Sequence, residues 1–169
     1  MTTADKTIPF NRPGIVGKEM QYIQDAIHRG HLAGDEHYSH NCNQIIRTIT
    51  GARQALVTHS CTAALEMAAL LCDLSSGDEV IMPSFTFVST ANAVALRGAT
   101  PVFVDIDPIT LNIDPNEVEK ALSPRTRAIF TVHYAGFASD MAALRAIADR
   151  HDLILVEDAA QALGATYHG

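Results

Sequence analysis

The chain has no run of lysine and arginine, no apolar stretch long enough to cross a membrane, no C-x-x-C pair and no G-x-G. Each absence closes off a class of function. Twelve Lys and Arg stand against nineteen Asp and Glu, a formal net charge of −7 at pH 7. Without clustered cations the chain cannot neutralise a row of phosphates, which argues against a nucleic-acid partner. The excess of carboxylates bears on solubility and on little else. A membrane span needs roughly 18 consecutive apolar residues, and no stretch reaches that length. Residues 1–6 lack the basic and apolar regions of a signal peptide. Cys42, Cys61 and Cys72 are odd in number and unpaired by spacing, so they read as free thiols in a reducing compartment. The expected address is the cytoplasm.

The missing G-x-G removes the dinucleotide fingerprint. Gly14-Ile15-Val16-Gly17-Lys18 lacks both the spacing of a Walker loop and the Ser/Thr that follows its lysine. A nicotinamide or ATP site would need another design.

What is present describes a globular chain. At 169 residues, 47% hydrophobic and 18% charged, it can bury a sizeable core, and it shows no repeat, low-complexity tract or interdomain linker. Two prolines make residues 8–14 an extended arm. Helical spacing predicts a helix over 18–28 and a second, short one over 41–49, with a break at 30–34. From residue 55 the chain alternates. Strands are predicted at 55–58, 79–82, 101–105, 127–133 and 153–157, and helices over 62–72, 87–96, from Asp114-Pro115 onward, and 139–150. Strands separated by helices of this length indicate βαβ units, so the fold class is α/β, a mostly parallel sheet with flanking helices.

Polar and aromatic residues collect at the carboxyl ends of these strands, where open α/β sheets bind ligands. Thr58-His59-Ser60-Cys61-Thr62-Ala63-Ala64 opens a helix with small and hydroxylic residues. It reads either as an ordinary Ser/Thr cap or as an anion site at a helix N-terminus. Pro83-Ser84-Phe85-Thr86-Phe87 follows the next strand, and its aromatics could pack in the core or stack on a flat ring. Val156-Glu157-Asp158-Ala159-Ala160-Gln161 ends the last strand. A carboxylate at the inner end of a buried strand needs a cationic or donating partner, and the chain offers few fixed internal cations. Asp158 therefore caps the next segment or pairs with something brought from outside, such as a protonated pyridine nitrogen.

These motifs, with Val132-His133-Tyr134-Ala135-Gly136, occur in an order that resembles the DegT/DnrJ/EryC1/StrS sugar aminotransferases, a fold-type-I pyridoxal phosphate family. The resemblance covers nearly all of the chain after residue 8. It implies the N-terminal part of a pyridoxal phosphate-dependent transferase large domain, with an arm and helix over 1–34, a partial cofactor-binding domain over 35–169, and the C-terminal domain absent. It implies that Cys61, Thr62 and their amides hold the cofactor phosphate and that Phe87 stacks on the ring. Asp158 would pair with the ring nitrogen as the catalytic carboxylate, and Gln161 would bond the phenolic oxygen. His133 would sit near the cofactor or serve as a satisfied structural histidine. The reaction implied moves an amino group from glutamate to the 4-keto carbon of a dTDP-linked 6-deoxy sugar, in cell-surface polysaccharide biosynthesis, by a homodimer.

The family's chemistry needs a lysine that anchors the cofactor covalently, downstream of Asp-x-x-Gln. The chain has only Lys6, Lys18 and Lys120, none at a matching position, and it stops at Gly169. The expectation is that this chain alone does not transfer amino groups, and that its cut sheet leaves an edge and apolar faces exposed. Two other readings stand beside this one: a dehydratase on the same fold, with histidine in place of the lysine, and a non-catalytic remnant or partner subunit. A zinc module from His28, His31, His37 and His40 with Asp35 and Glu36 lacks supporting cysteine, and no metal is expected. Cys61 could also be a reactive thiol with a lowered pKa at a helix N-terminus.

Overall fold

The computed structural model describes residues 8–9 and 11–169. Lys6, and Phe10 of the expected arm, lie outside the described residues. The chain forms two compact units, Met1–Leu56 and Val57–Gly169.

In the first unit, residues 11–16 belong to neither helix nor strand and are exposed. Helix α1 spans Glu19–Arg29 and α2 spans His37–Thr50. The Glu19 carboxylate accepts the Val16 and Gly17 amides at 2.7 and 2.8 Å, which satisfies donors ahead of the first turn and holds its carboxyl below the usual range. Helix α2 starts four residues before the expected position. Tyr38 packs edge-on against Tyr22 and donates its hydroxyl to Asp25 at 2.8 Å, tying the early turn to α1.

The second unit is a four-stranded sheet in the order β2-β1-β3-β4, with every pairing parallel. The strands are β1 (Glu79–Pro83), β2 (Thr100–Val104), β3 (Thr126–Val132) and β4 (Ile154–Asp158). The helices are α3 (Cys61–Leu71), α4 (Val88–Ala95), α5 (Pro115–Ala121) and α6 (Met141–Arg150). Strand β1 is buried along its whole length, as a strand covered on both faces should be. Its period of two divides the core. Val80 and Met82 join Leu65, Ala69, Leu74, Val94 and Phe130 on one face, while Ile81 joins Ile129, Val118, Leu144 and Ile147 on the other. At the foot of the sheet Glu79 accepts Ser123 Oγ and the Arg125 guanidinium, and these hold its carboxyl below the usual range.

Local signals landed well here. Asp114 caps α5 through the Asn116 amide at 2.8 Å, with Pro115 in the first turn, and Asp140 caps α6 through the Ala143 amide. One expected element is absent. Among the described residues, 55–58 is not one of the four strands of the sheet. No helix among the described residues is long and apolar enough to cross a membrane.

Candidate functional site

The chain leaves β1 toward β2 on one side and leaves β3 toward β4 on the other, so the connections after these two neighbouring strands run to opposite sides. A crevice opens at such a switch point. Here it is a cavity of about 470 Å³ lined from four directions: the start of α3, the segment after β1, the segment after β3 and the end of β4. All six residues singled out from sequence lie on it: Cys61, Thr62, Phe87, His133, Asp158 and Gln161.

Helix α3 presents its N-terminus to this cavity. Ser60 caps it, its Oγ accepting the Ala63 amide at 3.1 Å, and the Ser60 carbonyl accepts the Ala64 amide. The amides of Cys61 and Thr62 come before Ala64, the first amide with an acceptor within the helix, as the first amides of any helix do. Thr62 Oγ1 lies 2.7 Å from Ser89 Oγ, a contact made by the docking of α4.

Asp158 ends β4 and is buried. Its Oδ1 accepts the Ala160 amide at 3.1 Å and the Cys61 thiol at 3.5 Å, while Oδ2 takes no hydrogen bond from the described residues. It has no ion-pair partner among them. The cap reading is realised on Oδ1, and Oδ2 is left without a donor from the described residues. Burial first, then the Asp158 charge, push the Cys61 thiol up. A reactive thiol of lowered pKa is the opposite of what the site builds.

His133 is buried with both ring nitrogens engaged. Nδ1 accepts the Ser139 amide at 3.2 Å, so Nε2 carries the proton and donates it to Glu157 Oε2 at 2.8 Å. That bond holds the Glu157 carboxyl below its ordinary value against the opposing effect of burial. The His133 amide also donates to the Asp158 carbonyl at 3.1 Å. Histidine and backbone together pin the end of β3 to the end of β4, which is a structural task performed at the cavity wall.

Phe87 caps α4 and is 73% exposed while lining the cavity, whereas Phe85 packs on Tyr134 with ring centroids 4.7 Å apart. Neither ring enters the core: Phe85 is 42% exposed and rests on Tyr134 at the cavity wall, while Phe87 makes no ring contact among the described residues. Gln161 Oε1 accepts the Ala135 amide at 2.7 Å. Ala135 reaches it from a left-handed conformation, φ 53°, that costs a non-glycine residue about 1–2 kcal/mol.

Sequence reasoning did not single out Ser89, Tyr134 or Glu157. Tyr134 sat inside a quoted motif and was legible in principle. Ser89 was not, since nothing local marks a serine that meets a threonine 27 residues earlier. Of the histidines in the first unit, His31 pairs with Glu36 at 3.0 Å and His40 with Asp35 at 3.9 Å, while His28 meets the Gln24 carbonyl and His37 the Asn41 side-chain amide. Among the described residues no three potential metal ligands come together.

The profile of the DegT/DnrJ/EryC1/StrS aminotransferase family matches residues 13–169. Among solved structures, DesV from S. venezuelae is 38% identical, with a TM-score of 0.78 over 86% of this chain and 40% of its own. NtdA from Bacillus subtilis, with bound cofactor PMP, is 37% identical, with a TM-score of 0.83 over 87% of this chain and 34% of its own. DesI, in the presence of its TDP-sugar product, is 38% identical, with a TM-score of 0.83 over 89% of this chain and 38% of its own. The chain spans about two fifths of the length of the proteins it matches.

Proposed function

Because the chain belongs to the DegT/DnrJ/EryC1/StrS aminotransferase family, whose aminotransferases use pyridoxal phosphate, we propose that the cavity at the ends of β1, β3 and β4 holds that cofactor for a sugar aminotransferase. One observation supports this most: a buried carboxylate, Asp158, with one oxygen fixed by the chain and the other left without a donor.

The donor set fits the group. Thr62 and the leading amides of α3 suit a phosphate, since a helix N-terminus favours negative charge. Phe87 offers an exposed aromatic face for the ring. Asp158 Oδ2 would accept the pyridine N–H and keep that nitrogen protonated. Gln161, its oxygen already occupied by Ala135, has only amide N–H groups left to donate. Cys61 contributes its amide to the phosphate, while its thiol steadies Asp158. His133 and Glu157 position the strand end that carries Asp158. When bound, the cofactor supplies an electron sink for the pair released as a C–H bond of the substrate breaks.

The same proposal extends to the whole enzyme. The opening residues and the stretch 81–105 are similar to dTDP-4-amino-4,6-dideoxygalactose transaminase. We read the reaction as transfer of an amino group from glutamate to the 4-keto carbon of a dTDP-linked 6-deoxy sugar, by a cytoplasmic homodimer in polysaccharide biosynthesis. Neither Lys18 nor Lys120 lines the cavity, and Lys120 is bound to Glu117 at 2.6 Å.

The test is an absorbance titration of the chain with pyridoxal phosphate. The cofactor spectrum should shift on binding, and Asp158→Ala should weaken binding by at least about tenfold, the worth of one charge-assisted hydrogen bond. A wild-type chain that leaves the spectrum unchanged, or an Asp158→Ala variant that binds equally well, would overturn the assignment.

A further inference from the structure

Asn112 lies outside the cavity lining, 22 residues before Tyr134, and is 3% exposed. A buried amide must satisfy both its ends. Asn112 Oδ1 accepts the Tyr134 amide at 2.9 Å, and Nδ2 donates to the Phe137 carbonyl at 2.9 Å. The orientation is dictated by its partners, since a flipped amide would set N–H against N–H and oxygen against oxygen. These two bonds clamp the first residue of the turn Tyr134–Gly136 and the residue just after it. Between the clamped points the backbone is left-handed twice, at Ala135 (φ 53°) and Gly136 (φ 83°).

That turn shapes the cavity wall. The Ala135 amide donates to Gln161 Oε1 at 2.7 Å, and Gly136 lies so close that a Cβ there would stand 3.0 Å from the Gln161 carbonyl oxygen. Asn112 is itself braced: its carbonyl accepts the Asp107 amide at 2.9 Å, and Asp107 Oδ1 takes the Ile109 and Thr110 amides. A chain of fixed hydrogen bonds therefore runs from the loop after β2 through Asn112 and Ala135 to the Gln161 side chain.

We propose that Asn112 is a positioning residue for this site: it builds the left-handed turn whose Ala135 amide fixes the Gln161 oxygen, leaving Gln161 to donate N–H into the cavity. The proposal rests on the cofactor reading only for what Gln161 donates to. The hydrogen-bond chain stands on its own.

Amide hydrogen exchange on the ¹⁵N-labelled 169-residue chain tests it without cofactor. Asn112→Ala removes both bonds, whereas Asn112→Asp keeps an acceptor for the Tyr134 amide. Protection of the Ala135 amide should fall about tenfold in Asn112→Ala and less in Asn112→Asp, with β3 amides unchanged in both. Unchanged Ala135 protection overturns the proposal, and so does a uniform loss that includes β3, which marks a merely structural role. If Asn112→Ala does not fold, Asn112→Asp alone decides by the same criterion. A pyridoxal phosphate titration completes the set. Asn112→Asp and Gln161→Ala should weaken binding non-additively, since one acts through the other, and additive losses overturn the positioning role. A wild-type chain that binds no cofactor sinks the cofactor reading and leaves exchange to judge Asn112.

Discussion

Replacing Glu157 by glutamine separates charge from shape at the end of β4. The amide keeps an oxygen that can accept the His133 Nε2 proton, so the geometry of the 2.8 Å bond can survive. What disappears is the negative charge. A hydrogen bond to a charged group contributes about 1.5–3 kcal/mol when sheltered. Half of the Glu157 side chain is exposed, 50% against 7% for His133, so solvent screening reduces the expected loss to about 0.5–1 kcal/mol. The pH dependence follows from the direction of the shift. The folded chain holds this carboxyl below its ordinary value of 4.5, because the His133 bond outweighs desolvation. The folded state therefore favours the ionised form. Its contribution is complete above 4.5 and drains away as pH falls through the depressed folded value. Urea denaturation of wild type and Glu157→Gln should show a gap near neutral pH that narrows at an acid pH below 4.5. A gap of equal size at both pH values would mean that shape, not charge, is responsible. No gap at neutral pH would remove the pair from the account of how β3 and β4 are joined.

Two further substitutions probe the scaffold and the turn. Phe130→Ala, on β3 at 1% exposure, should lower the unfolding free energy by about 3–5 kcal/mol, as seen by urea denaturation, because the surrounding core cannot close over the space. Gly136→Ala should lower the melting temperature through a loss of about 1–2 kcal/mol, since alanine is forced to a φ of 83° with its Cβ 3.0 Å from the Gln161 carbonyl oxygen. A melting temperature at or above that of wild type would show that the turn relaxes freely.

Much of this molecule was legible residue by residue. Periodicity located the strands and helices of the sheet because a buried strand and an amphipathic helix each write their packing into local spacing, and Asp114-Pro115 announced a helix start with its own cap. Most of the six residues that line the cavity were legible because small, aromatic and polar residues that interrupt apolar runs stand at strand ends, which face one crevice in a parallel sheet; His133 came only from the family resemblance. The residues 55–58 misled, because branched side chains describe a segment suited to a sheet without saying whether it joins the ladder.

The sequence by itself determined the fold class, the capped helices and six of the residues that gather at the cavity. Tertiary structure alone decided how those residues share their hydrogen bonds. It turned the Cys61 thiol toward Asp158, engaged both nitrogens of His133, left one oxygen of Asp158 open, and brought Asn112 under a turn that grips Gln161. The physical reason is one of range. Backbone propensity and hydrophobic periodicity act within a turn or two of helix or a few residues of strand. A buried polar group instead takes its partner from whatever the packed chain places within 3 Å or so, and that neighbour can stand anywhere in the sequence.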